Sequence, residues 1–134
     1  MPFSQKCLIL GVAEFSAASN LQQTMIEKTI SEIETKISGA ESVSPERKQE
    51  LLKLLGTLKA EVAELSKTNV EQADSIAGFA QLSAHEATRA EQNQQLRELS
   101  LQGLRSSVED LEQSHPRLTQ IVNRISKMLS DLGI

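Results

Sequence analysis

The sequence predicts an all-α protein, an elongated helical hairpin or bundle with long, coiled-coil-like helices. Three observations predict it. Between Pro45 and Pro116 lie 70 residues without a proline, rich in Glu, Gln, Ala, Leu, Lys and Arg, the residues that lose least on entering a helix. Apolar residues recur at alternating spacings of 3 and 4 in three separate segments, the period of one helix face. Finally, the 134 residues include three Phe, no Trp and no Tyr. Aliphatic side chains must therefore build the core, which suits helix-on-helix packing better than a sheet, whose strands favour aromatic and β-branched residues.

Residues 1–19 form an N-terminal apolar arm, and 20–134 a single all-helical domain with helices at about 20–38, 45–66, 69–113 and 115–132. The arm carries the short run Cys7 to Ala13 after Lys6, with Ser16-Ala17-Ala18 beyond it. This outlines a secretory signal, but the positive charge is a single Lys and Glu14 ends the run. Seven apolar residues are too few to span a bilayer, which takes ~20. Asn20 then caps a helix with Gln23 three positions on, as in a capping box. Ile26, Ile30, Ile33 and Ile37 give it a narrow seam, and Gly39 ends it.

Ser44-Pro45-Glu46 restarts a helix, with Ser44 as cap, Pro45 at the first position and an acidic first turn. Leu51, Leu55, Leu58, Val62 and Leu65 make its seam. Past Leu65 the stripe changes to Val70, Ala73, Ala77, Ala80, Ala84 and Ala87, one position out of phase, with Ile76, Phe79 and Leu82 beside it. Thr68 to Glu71 reads as a second capping box. The phase change fits either a break near Ser66–Asn69 or one continuous helix with a register shift. Residues 88–98 are nearly all polar, as at a hairpin tip or in an exposed spacer. Leu96, Leu99, Leu101, Leu104, Val108 and Leu111 then bring the apolar seam back. Pro116 biases His115 out of helical angles, and Ser114 or His115 caps a last helix striped with Leu118, Ile121, Val122, Ile125, Met128, Leu129 and Leu132.

Two of these pieces carry a resemblance. Ser44-Pro45-Glu46-Arg47 leading into Leu51-Leu52-Lys53-Leu54-Leu55 is one; the other runs from Val108-Glu109-Asp110-Leu111 through Ser114-His115-Pro116 to Leu132-Gly133-Ile134. Together they resemble an uncharacterised bacterial family of short helical proteins, with a Ser-His-Pro turn before a last helix ending in Gly-Ile. About half the chain is covered. The resemblance implies a helical fold, a bacterial cytoplasmic setting and proximity to defence genes, and it supplies no chemistry. This chain departs from the pattern in its N-terminal 43 residues and its Ala/Gln-rich middle.

Charge and composition narrow the function. The net charge is −4, from 14 basic and 18 acidic residues. Residues 68–113 hold 3 basic and 8 acidic groups, and residues 114–134 hold 3 basic and 1 acidic. A mildly acidic chain without Trp or Tyr is a poor match for nucleic acid, which asks for clustered Lys and Arg and for stacking platforms. His85 and His115 are the only histidines and Cys7 the only cysteine, so no metal-ligand spacing arises. Neither a Gly-rich phosphate loop nor a nucleophile elbow is present. No enzyme activity, cofactor, metal or small-molecule substrate is therefore expected.

What remains are apolar surfaces. The expected function is protein binding, as a scaffold or regulatory subunit that forms a homo-oligomer and engages a further protein. Its interface residues would be Ile26, Ile30, Ile33, Ile37, Leu51, Leu55, Leu58, Leu118, Ile121, Ile125 and Leu129. Two alternatives stand beside it: a membrane-surface protein using amphipathic helices, disfavoured by polar faces not rich in Lys and Arg, and an antitoxin- or immunity-type binding protein. Recognition is expected from the middle, Ser66 to Gln95, or from the N-terminal arm, and stability from the Leu-rich ends.

Overall fold

Side-chain caps set where the helices begin. In the computed structural model, which describes residues 24–132, α1 covers residues 24–38. It is followed by α2 (Pro45–Ser66), α3 (Val70–Thr88), α4 (Gln94–Ser106), a 3-10 turn at Glu109–Leu111 and α5 (Pro116–Leu132). No strand occurs among the described residues. The N-terminal arm, the Asn20 cap and the terminal Gly-Ile fall outside them.

Ser44 starts α2, its Oγ accepting from the Arg47 N–H at 3.4 Å while Pro45 fills a position whose N–H would have no helical partner. The break near Ser66–Asn69 is real. Its cap stands one residue later than the Thr68–Glu71 pattern indicates: Asn69 Oδ1 accepts from the Gln72 N–H at 3.1 Å, and Asn69 Nδ2 donates to Gln72 Oε1 at 2.9 Å. Asn outranks Thr as a cap, and the Thr68 hydroxyl bonds back to the Leu65 carbonyl instead.

The helix expected over 69–113 is corrected to three pieces. Residues 89–93 form the tip of an α3–α4 hairpin. There Gln92 Nε2 donates to the Ala87 and Arg89 carbonyls, and Asn93 Oδ1 accepts from the Leu96 N–H. These amides satisfy backbone groups that a helix end leaves unpaired, so ending α3 costs little. A second interruption follows Ser106. At the Pro116 turn the His115 carbonyl accepts the Thr119 N–H at 3.2 Å, which puts His115 at the cap position of α5.

Pairs of side chains fix the directions. Arg124 meets Glu50 at 3.5 Å and Arg117 meets Glu61 at 3.6 Å, so α5 runs antiparallel to α2. Gln81 bonds Glu32 and Lys36 bonds His85, both 49 positions apart, so α1 runs parallel to α3. Lys59 pairs with Glu34, tying α1 to α2 as well. Helices α2 to α5 close an up-down-up-down ring in which α2 adjoins α3 and α5, α4 adjoins α3 and α5, and α3 also reaches α5. Helix α1 lies against α2 and α3.

Of the elongated hairpin and the bundle that the sequence allows, the described residues form a bundle. The reason lies in the alanine stripe: Ala73, Ala77, Ala80, Ala84 and Ala87 are all buried. Their small side chains let the neighbouring helices crowd α3, so the middle of the chain is core and not an extension. The assigned interface is corrected too. Ile26, Ile30, Ile33, Ile37, Leu51, Leu55, Leu58, Leu118, Ile121, Ile125 and Leu129 are all buried inside this one chain. Each stripe meets another stripe of the same molecule, so this apolar area is already withdrawn from water.

Candidate functional site

Removing those residues from the surface leaves few large apolar side chains outside. Among the described residues they are Met25, Phe79, Leu82, Leu96 and Leu99. Met25 stands in the first described turn; the other four belong to α3 and α4. Phe79 is 38% exposed, Leu82 46%, Leu96 45% and Leu99 56%.

The two helices bring these four together. The Phe79 ring lies over Gly103, where an added Cβ would overlap ring atoms Cδ1 and Cε1. Gln72 Nε2 reaches the Ser107 carbonyl at 3.2 Å and Asp110 Oδ1 at 2.7 Å. In this antiparallel register Leu82 falls beside Leu99 one turn further on. Leu96, Leu99 and Gly103 follow i, i+3, i+7 on α4, and Ser75, Phe79 and Leu82 follow i, i+4, i+7 on α3. At about 3.6 residues per turn each set is one face. The middle of this outer hairpin face carries no charge. By helical spacing Glu98 and Arg105 fall on another side of α4, Asp74 flanks the face one turn before Gly78, and Arg97 is buried.

Below the face, the hairpin tip is tied by polar bonds. Glu86 is buried and takes Arg89 Nη1 at 2.7 and 3.3 Å, while Arg97 Nη1 donates to Gln92 Oε1 at 2.8 Å. A buried carboxylate is tolerable only with such a partner. Beside Phe79 a cleft of about 560 Å³ is lined by Gln72, Ser75, Gly103, Ser106 and Asp110, among others. A second groove, of about 620 Å³, lies between α2 and α5. Its charged side chains include Glu50 and Arg124, which pair with each other.

The two histidines stand apart. His85 faces Lys36 on the α1 side, and His115 Nδ1 lies 3.1 Å from Ser114 Oγ at the start of α5. Among the described residues no group of three or more His, Cys, Asp or Glu is placed to hold a metal. No helix among them is long and apolar enough to cross a membrane.

Sequence reasoning merged Leu96 and Leu99 with the seam of Leu101 and Leu104. The structure separates them: Leu101, Leu104 and Val108 point inward, whereas Leu96 and Leu99 point out. The signal was an excess of leucines. Six apolar positions in 96–111 are more than one stripe of a short helix needs.

Fold and face together define a small all-α bundle domain with one uncharged apolar surface. The chain belongs to the family described as a domain of unknown function, DUF4404, whose model matches residues 51–134. That segment takes in most of α2 and all of α3 to α5, the whole ring apart from the first turns of α2; α1 precedes it. No curated protein and no solved structure matches the chain.

Proposed function

We propose that this protein binds protein, as a scaffold or regulatory subunit of a larger complex. The observation that carries the reading is the outer face of the α3–α4 hairpin. Four large apolar side chains, each more than a third exposed, stand together there on two helices with no charge among them. Charge depletion with aromatic and aliphatic side chains at the centre is the composition of an interface core, and contiguous apolar patches on soluble proteins mark interaction sites. The rigid, polar-tied tip holds the face in a preformed shape, which lowers the ordering cost of binding.

The test places a photo-crosslinking residue at position 99 and, as control, at position 57 on α2, in the full chain in its native cells. A protein adduct formed from position 99 and not from 57 is expected. Equal yields at both positions, or none at 99, would sink the reading.

A further inference from the structure

We infer that the outer face of the α3–α4 hairpin is covered by this chain's own N-terminal arm, residues 7–15, which a protein partner displaces in order to bind there. The inference rests on the protein-binding reading of this face and names what regulates it.

The point where the arm joins the bundle selects it as the occupant. Gln81 bonds Glu32 and Lys36 bonds His85, each pair 49 positions apart. The same offset sets Met25 level with Asp74 of α3. Met25, Glu32 and Lys36 follow i, i+7, i+11, which is one face of α1, the face turned to α3. Met25 is 60% exposed there. It extends the apolar surface of the hairpin toward the residue at which the arm enters.

Reach and path fit. From the level of Thr24 to Leu82 is nine residues along α3, about 14 Å, and crossing the width of α3 adds about 10 Å. Residues 16–23, extended, cover up to about 26 Å, which brings Phe15 and the run before it over the face. Gly78 stands on that path, one position before Phe79 and four before Leu82. A Cβ built at Gly78 meets nothing within 4 Å, so the bundle has no need of glycine there, which is unfavourable in a helix relative to alanine. The missing side chain leaves room for a crossing backbone. Asp74 flanks the crossing. Residues 16–23 are small or polar apart from Leu21, so they pass its carboxylate and leave it in water.

Charge and size favour a tethered occupant over a free one. Between Lys6 and Thr24 the one charged residue is Glu14, so Cys7 to Ala13 bring no charge to an uncharged face. The 13 residues of α4 span about 20 Å, and two adjacent helices are about 20 Å across, giving a face on the order of 400 Å². A stable association buries about 800 Å² per partner, so a free occupant confined to this face holds weakly. A segment on a short linker needs less, because it meets the face at about millimolar effective concentration. The same small area makes the cover displaceable by a larger partner that reaches past it.

Cys7, the only cysteine, takes a nitroxide label in the full chain, and nuclear magnetic resonance of the isotope-labelled chain reads which methyl groups the label broadens. Leu82, Leu96 and Leu99 are expected to be broadened severalfold more than Leu54 and Ile121 of the α2–α5 groove. A label at position 4, outside the apolar run, in a chain with Ser4→Cys and Cys7→Ser is expected to give the same pattern. Leu82→Glu with Leu99→Glu is expected to abolish the contrast at Leu96 with unchanged helix content. Equal broadening of both sets, or none on the face from either label, overturns the inference. In a mixture of spin-labelled chain with isotope-labelled Cys7→Ser chain no contrast is expected; a contrast as strong as within one chain assigns the face to a second copy and overturns the inference as well. The crosslinker at position 99 then separates the arm from the partner. A full chain carrying Leu8→Ser, Ile9→Ser and Leu10→Ser is expected to give at least twice the protein adduct of the unchanged arm. Equal yields overturn the competition. Contrast on the face with no adduct from either chain leaves the arm docked and overturns protein binding; adduct without contrast overturns the arm and leaves protein binding standing.

Discussion

One methyl group at Gly103 tests how α3 and α4 are joined. An alanine Cβ would overlap three atoms of the Phe79 ring, with Cδ1 at 2.6 Å and Cζ at 3.0 Å. The helices cannot part to make room without exposing Ala80, Ala84, Leu101 and Leu104, all buried at 2% or less. The ring must swing out instead. Phe79 is 38% exposed already, so expulsion forfeits most of a Phe burial, about 2 kcal/mol. Against this, alanine in place of a helix-interior glycine gains about 1 kcal/mol. Gly103→Ala therefore destabilises by about 1 kcal/mol net. In a Phe79→Ala background the overlap is gone and only the gain remains, so the same change stabilises by about 1 kcal/mol. The sign reverses, and the double-mutant cycle gives a coupling of about 2 kcal/mol. Urea unfolding followed by far-ultraviolet circular dichroism measures it, since a chain without Trp or Tyr has little fluorescence to follow. A Gly103→Ala change that stabilises both backgrounds equally would refute the placement of Phe79 over α4.

Three further changes have expected outcomes. Ile30 is fully buried in α1, so Ile30→Ala lowers unfolding free energy by about 3 kcal/mol in the same titration; a loss under about 1 kcal/mol would mean α1 is not docked. Ser126 Oγ is buried with no hydrogen-bond partner, and Ser126→Ala raises stability by about 1 kcal/mol because an unsatisfied hydroxyl leaves the core, which calorimetry reads as a higher Tm. Asn69→Ala removes the cap of α3 and costs about 1 kcal/mol, whereas Thr68→Ala, whose hydroxyl only bonds back to the preceding turn, costs less than half of that by the same measurement; the reverse order would return the cap to Thr68.

Helix existence was legible because it depends on local chemistry. Ser44-Pro45, the phase change after Leu65 and the Ser-His-Pro turn each mark a boundary found in the structure. The arrangement of helices was not legible, since it depends on which stripe meets which. An alanine stripe reads as weak on its own, where its small buried area suggests a spacer. Its strength arises only when the neighbouring helices close on it, a non-local property. The candidate face was hidden for the converse reason. Exposed leucines and core leucines look alike in a sequence, and periodicity divides Leu96 and Leu99 from Leu101 and Leu104 only once the cap of α4 at Asn93 is known. The break at 89–93 turned on Gln92 and Asn93, whose side-chain bonds to backbone no spacing rule displays.

The buried alanines of α3 have a consequence for how this chain tolerates change. Ala77, Ala80 and Ala84 sit where three helices converge, each at 1% exposure or less. Any larger side chain there wedges its neighbours apart, and glycine weakens the helix; volume cannot be exchanged with a facing residue. Leucine and isoleucine positions on α2 and α5 are more permissive, since one side chain can shrink as the opposite one grows. The helix whose buried side chains are mostly alanine thus acts as the gauge for the spacing of all the others. Sequence drift has room on the leucine-rich helices and almost none along α3.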